Sequence, residues 1–416
     1  MEQTILFRQL SNGLRVFHLP KAGFSAHFAM LAVRFGAADS VFALEGETVT
    51  LPAGVAHFLE HKMFEGADGN ALQKFSALGA SPNAFTNYGM TAYHFECADR
   101  FYENLRLLLS LVSTPYFTEE NVEKEKGIIG QEIGMIEDNP YWQGLHRMLA
   151  GLYPGHPVRH SIAGTVESIG AIRNEMLALC HRAFYTPDNM VLVTAGEGDV
   201  DRIAEIAGSV LPNGATRAPR RFYGSEKPVR REGGNKPMAV ASPIVFLGVK
   251  QRPLGRGESR ARRLAASDLL QLCLFSEASP FYDGLYEAGW IDSSFGYETL
   301  FAPGAGMFYL CGESRAPGKV REAAAAALRQ AGETGLEEAV FQRAKRTLYG
   351  GLVQRLDSLS ELCRLQAECA FAGEDLAALF AAVETAKKED VAALARECAG
   401  EECRYTAVIE PNEWRT

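Results

Sequence analysis

The strongest constraint on the fold is a layout that the 416-residue chain runs through twice. The first half opens on the strand-like segments "GLRVFHLP" and "AHFAMLAVRFGA", and the second on "PIVFLGVKQR". Each half then enters long helical stretches. The first closes with a helix around "NEMLALCHRAFY" and the strand "NMVLVTAGE"; the second closes with "DVAALARECAG" and "RYTAVIEP". This order implies an internal duplication of about 200 residues, although the halves share little identity. Between them lies "PNGATRAPRRFYGSEKPVRREGGNKPM", with seven Lys/Arg against two Glu and no apolar periodicity, which reads as a solvated linker. A basic docking strip for an acidic partner is the other reading. The expected division is residues 1–212, a linker at 213–238, and a similar second domain at 239–416, in keeping with a chain too long for one core.

Within the second half, "KVREAAAAALRQAG" and residues 336–370 carry apolar residues at three and four residue spacing and predict helices. Strands in hairpin-like pairs, mixed with helices in both halves, predict an α+β fold. The expectation is two homologous α/β sandwich domains, each a largely antiparallel sheet packed with helices, joined by the linker. A net charge of −9 gives no general attraction to nucleic acid or anionic membrane. The most apolar runs, "LLLSLV" and "MVLVTA", are too short to cross a bilayer. The opening "MEQTILFRQLSNGLRVFHLP" has no signal-peptide pattern, and the eight cysteines include no C-x-x-C pair. Reduced, mostly buried thiols and a cytoplasmic location are therefore expected.

The chemistry concentrates in "GVAHFLEHKMFEG". On a helix, His57 and His61 lie one turn apart on one face, and Glu60 is close enough to reach a water held between them. Two imidazoles beside a carboxylate suit zinc, and a catalytic site needs a third protein ligand and one open position. That ligand should come from another element, and the best candidate is "EKEKGIIGQEIGMIEDNP". It reads as an amphipathic helix with Ile128, Ile129, Ile133 and Ile136 on its buried side. Glu125 and Glu132 are seven apart and share a face. Either can ligate while the other orients a histidine. The competing view is a chance pattern on a solvated helix, but 51–64 is otherwise apolar and an unpaired charge there would be costly.

These segments, with "LGASPNAFTNYGMTAYHFE", "HSIAGTVESIGAI" and "FYTPDNMVLVTAGE", occur in an order that resembles the pitrilysin (insulinase) family of inverted-motif (HxxEH) zinc peptidases. The likeness is greatest to its short bacterial branch related to the mitochondrial processing peptidase. The resemblance spans residues 1 to about 200, and the second half shows only a similar layout. It implies a zinc-dependent endopeptidase with one Zn2+ per subunit. His57, His61 and Glu132, the last in the E-I pair ahead of Asp138-Asn139-Pro140, would be the ligands. Glu60 would be the general base, and Glu125 would stand behind the ligands.

The same resemblance makes the 81–96 segment a sheet edge that takes an extended peptide as an added strand, with Asn83, Ala84 and Phe85 in contact with it. From the residues alone that segment is an ordinary turn and strand pair, and His94, His156, His160, Tyr88 and Tyr93 are core or capping groups. The resemblance further implies paired two-domain subunits enclosing a chamber, with an arginine and a tyrosine near the substrate carbonyl. Here "GWIDSSFGYETLFAPGAGMFYLCGES" contains no arginine. The partner is thus expected to be a second copy or a paralogous subunit that supplies the arginine/tyrosine pair, with no nucleic-acid or membrane partner. The alternative function is a non-catalytic scaffold or assembly subunit of the same fold.

Overall fold

A computed structural model describes residues 4–212, 218–225, 227–230, 233–255 and 257–412. The chain forms two compact units. The first comprises Met1–Ile133, Ser161–Tyr223 and Gln354–Ala377, and the second Gly134–His160, Gly224–Val353 and Ala378–Thr416.

The first unit is built on a six-stranded sheet in the order Leu6–Gln9, Arg15–Pro20, Met190–Gly196, His27–Val33, Thr91–Cys97, Ala80–Thr86. All neighbours are antiparallel except Arg15–Pro20 beside Met190–Gly196. The second unit has a five-stranded sheet ordered Asn235–Met238, Arg404–Pro411, Ile244–Gln251, Ala305–Glu313, Gly296–Ala302. Its one parallel pair is the first, Asn235–Met238 with Arg404–Pro411. From the parallel pair to the terminal hairpin, the two sheets repeat one another in order and direction. The repeated layout of the sequence is therefore a repeated fold, and both sheets are mixed with helices as expected.

The compact units do not follow the contiguous division at 212 and 239. Pro140–Leu152, from the first half of the sequence, packs on Ile244–Gln251 and Arg404–Pro411. In the same way Leu359–Phe371, from the second half, packs on Met190–Gly196 and His27–Val33. The fit of the first helix depends on two glycines seven apart. A Cβ at Gly144 would lie 2.0 Å from the Phe246 ring, and one at Gly151 would lie 2.2 Å from the Tyr405 ring. Such long-range complementarity leaves no trace in local periodicity.

Two local expectations need adjustment. Part of the 213–238 linker (213–217, 226 and 231–232) lies outside the described residues, but other parts of it are ordered. Arg220–Arg221 pairs with Val41–Leu44, and Asn235–Met238 is an edge strand. Arg221 is held by Asp39, at 3.2 Å, and Asp39 also accepts from the Tyr223 hydroxyl and the Gly36 amide. Burial pushes the Asp39 carboxyl above its ordinary range despite Arg221. The helical 336–370 stretch divides into Glu338–Arg355 and Leu359–Phe371, because the Ser358 hydroxyl caps the second helix by accepting from the Glu361 amide. None of the eight cysteines forms a disulfide and six are buried, as read from the sequence. Among the described residues no helix is long and apolar enough to cross a membrane.

Candidate metal centre

The two histidines sit on the helix Val55–Met63, of which every residue except His61 is buried. Phe58 and Leu59 are fully enclosed, each anchoring the helix by about 2–3 kcal/mol of side-chain burial. Its entry is fixed by Gly54 at φ 92°, where a Cβ would stand 2.5 Å from the Ala163 carbonyl oxygen. Only glycine combines that left-handed backbone with so close an approach. With the apolar side anchored, His57 and His61 present their rings together, centroids 4.6 Å apart.

The helix Glu119–Asp138 brings the carboxylates. Its buried residues are Val122, Glu125, Ile129 and Ile133. Ile128 is 47% exposed and Ile136 only half-buried, which corrects the expectation that both line the buried side. The helix is rotated so that Glu125 turns inward to His61 and Glu132 lies across from both imidazoles.

His57 Nε2 is 3.5 Å from Glu132 Oε1, and His61 Nε2 is 3.6 Å from Glu132 Oε2. At 3.6 Å a pair is too long for a good hydrogen bond. It matches another geometry: metal bonds of about 2.0–2.1 Å in a tetrahedron set neighbouring donors about 3.3–3.4 Å apart. His57, His61 and Glu132 offer donor atoms that all lie within 4.8 Å of one another, the one such group among the described residues. Two imidazole nitrogens and a carboxylate are a donor set that fits zinc and leaves a fourth position open. His57 Nδ1 is buried without a hydrogen-bond partner, so Nε2 is the nitrogen aimed into the cluster.

Glu125 stands behind His61, with Oε1 3.0 Å from Nδ1. Burial disfavours the charged form of His61, but the hydrogen bond to Glu125 and the surrounding carboxylates outweigh it and raise its pKa. Burial likewise works against charged Glu125, and His61 and Lys62 bring its pKa below the ordinary carboxylate range. Glu132 is also lowered, chiefly by His57. Glu60 differs: burial dominates and pushes its carboxyl up, opposed by a hydrogen bond from Thr86. The Thr86 hydroxyl donates to Glu60 Oε2 at 2.5 Å.

Thr86 and Lys62 are the two residues that sequence reasoning passed over. Lys62 was legible as a lone cation in an apolar run. Thr86 had no such signal, because its role depends on the hairpin Ala80–Thr86/Thr91–Cys97 lying against the histidine helix.

Ala80–Thr86 ends the sheet order, so its outer edge pairs with no strand among the described residues. Asn87 N–H donates to Met90 O, which makes 87 and 90 a hydrogen-bonded pair. By alternation Ala80, Pro82, Ala84 and Thr86 direct their backbone groups outward. Pro82 has no amide to offer, as suits an edge. The Ala84 amide is bonded to the Asn83 side-chain oxygen at 2.8 Å. Because Thr86 reaches Glu60, the side chains of Ala84 and Thr86 face the histidine helix, whereas Asn83 and Phe85 project to the opposite face. The Phe85 ring there lies 6.3 Å from His94.

The remaining singled-out residues have packing or capping places. His94 stacks on Phe28. His156 accepts the Val158 amide at the start of a 3-10 turn, and the buried Tyr93 hydroxyl meets that of Tyr185. His160 accepts from Arg159.

Comparison with known proteins gives the family. Residues 50–166 match the model of the insulinase family (peptidase family M16), and residues 171–348 match the M16 inactive domain. YmfH of Bacillus subtilis (strain 168), an uncharacterized zinc protease, is 36% identical over 94% of this chain and 93% of its own length. ML0855 of Mycobacterium leprae, also an uncharacterized zinc protease, is 30% identical over 86% of this chain and 80% of its own. A solved structure from Alicyclobacillus acidocaldarius, described as M16-like peptidase, matches 99% of both chains at 32% identity and TM-score 0.93. A Helicobacter pylori protease, 18% identical, shares the fold with TM-score 0.83 over 99% of this chain and 100% of its own. With both halves covered by family models and a relative above one-third identity along nearly the whole chain, this protein belongs to the insulinase family, peptidase family M16.

Proposed function

We propose that the chain is a zinc-dependent endopeptidase that hydrolyses peptides or unfolded segments. The observation that carries this reading is the convergence of His57 Nε2, His61 Nε2 and the Glu132 carboxylate, donor atoms all within 4.8 Å of one another, with Glu60 one helical turn from His57. Zinc bound there supplies Lewis acidity, polarising a scissile carbonyl and lowering the pKa of water toward neutrality. Glu60 takes the proton of the attacking water and returns it to the leaving amine. Burial raises its carboxyl toward the range in which both transfers are easy, while the Thr86 hydroxyl occupies Oε2 and leaves Oε1 for the proton. Glu125 holds His61 by Nδ1, so that Nε2 faces the metal.

An extended peptide adds to the outer edge of Ala80–Thr86 alongside Asn83, Ala84 and Phe85, pairing with the outward backbone groups of Ala84. The Asn83 side-chain oxygen holds the place of the first substrate carbonyl at the Ala84 amide. Backbone pairing of this kind makes little demand on sequence. The reading extends to a chamber formed by paired two-domain subunits. Because residues 289–314 contain no arginine, a paralogous partner supplies the arginine/tyrosine pair to the substrate carbonyl, and a second copy of this chain is the other candidate.

The test is metal content and peptide cleavage before and after chelation, for the purified chain alone and with a neighbouring paralogue. Loss on chelation and recovery with zinc is the expected result. A chain that holds no metal and cleaves nothing in either setting would instead be a scaffold or assembly subunit. Full activity of the chain alone would remove the need for a paralogue.

A further inference from the structure

Lys62 follows the second histidine directly and is completely buried, at 0% exposure. A buried ammonium is costly unless paired. Its Nζ lies 2.6 Å from Glu65 Oε2 and 3.6 Å from Glu125 Oε2. Glu125 is itself only 5% exposed, and its other oxygen holds His61 Nδ1. Glu65, Lys62, Glu125 and His61 thus form one continuous chain that ends on the imidazole facing Glu132. Three carboxylates, Glu60, Glu125 and Glu132, crowd the two imidazoles. Among the described residues Lys62 is the one lysine or arginine paired with any of them.

We propose that Lys62 is a positioning residue of the metal centre, acting through Glu125 on His61. By its charge, 3.6 Å from Glu125 Oε2, it holds the carboxylate with Oε1 on His61 Nδ1, and that contact in turn sets the ring so that Nε2 points into the donor cluster. Glu65, partly exposed, anchors the lysine from its other side. Without Lys62 the inward oxygen of Glu125 has no cation, and the carboxylate is free to turn away from the histidine. The role rests on the reading of His57, His61 and Glu132 as a zinc site.

The experiment is zinc affinity by chelator competition, in the full chain, for the parent, Lys62→Met, Lys62→Arg, Glu125→Gln and Lys62→Met/Glu125→Gln. Methionine keeps the length and suits the burial. Lys62→Met should weaken zinc binding by about tenfold or more, Lys62→Arg should recover most of the loss, and the double variant should bind like Glu125→Gln alone. A lysine with only a packing role would give no recovery by arginine. Parental affinity in Lys62→Met, or full additivity in the double variant, overturns the proposal. If Lys62→Met does not fold, the double variant, which removes both buried charges, decides. Affinity equal to Glu125→Gln supports the coupling, and a further tenfold loss overturns it. If the parent itself binds no zinc, the site reading and the lysine's role fall together; if it binds zinc and the variants match it, the lysine's role alone falls.

Discussion

Replacing Thr86 by valine removes one hydroxyl and keeps the shape of the side chain. That hydroxyl donates to Glu60 Oε2 at 2.5 Å, and Glu60 is 7% exposed, so water has little access to take its place. A hydrogen bond to a charged group contributes about 1.5–3 kcal/mol, and about 1.4 kcal/mol corresponds to one pKa unit. Thr86 lowers the Glu60 pKa against the upward push of burial, so its loss should raise that pKa further. A base that works ionised is then lost at the acid end first. In Thr86→Val the acid limb of kcat/KM against pH should move to higher pH, with activity about 10–100-fold down on that limb and recovering toward alkaline pH. The assay is a fluorogenic peptide followed across pH with zinc content measured in parallel. An acid limb that stays at the parental pH, with zinc retained, would refute the role of Thr86. A uniform loss at every pH would place its effect elsewhere than on the base.

Further outcomes follow from other parts of the structure. Gly54→Ala forces a left-handed backbone on alanine, about 1–2 kcal/mol, and drives a methyl against the Ala163 carbonyl at 2.5 Å. Urea denaturation should show a loss of about 2–4 kcal/mol, and an unchanged midpoint would contradict the clamped entry to the histidine helix. The His94 imidazole, buried against Phe28, is pushed down to about 4. The unfolded chain therefore binds a proton that the folded one refuses between about pH 6.5 and 4, and up to about 3 kcal/mol of stability is lost as pH falls through that window. His94→Phe should flatten the acid side of the stability profile, and identical profiles would rule out His94 as its source. Gly151→Ala should destabilise by about 1–3 kcal/mol through the Tyr405 contact and speed amide exchange in Pro140–Leu152. Parental exchange there would contradict the packing of that helix on Arg404–Pro411.

The sequence carried the repeat because strand runs such as "NMVLVTAGE" and "RYTAVIEP" have a period of their own and close both halves alike. It carried the histidine pair for the same reason: residues four apart on an apolar helix share a face whatever surrounds them. What it could not carry depends on distant surfaces. Gly144 and Gly151 look like helix weaknesses until Phe246 and Tyr405 are seen against them. Ile128 fits the apolar periodicity of its helix, and is exposed because Glu125 and Glu132 set the rotation. Arg221 belonged to a polar stretch and is drawn inward by the buried Asp39, a partner that lies far along the chain. Thr86 meets Glu60 because a hairpin edge lies on the helix, a contact no spacing rule encodes.

The most direct test of the central claim is Glu60→Gln. The amide oxygen still accepts the Thr86 hydroxyl and His57, His61 and Glu132 are untouched, so the metal donors keep their geometry while the base is gone. Zinc content and peptide cleavage should be measured on the same preparation, alone and with any paralogous partner that activates the parent. The account predicts one zinc per chain, as in the parent, and no cleavage. Zinc bound as in the parent with cleavage at the parental rate would contradict it.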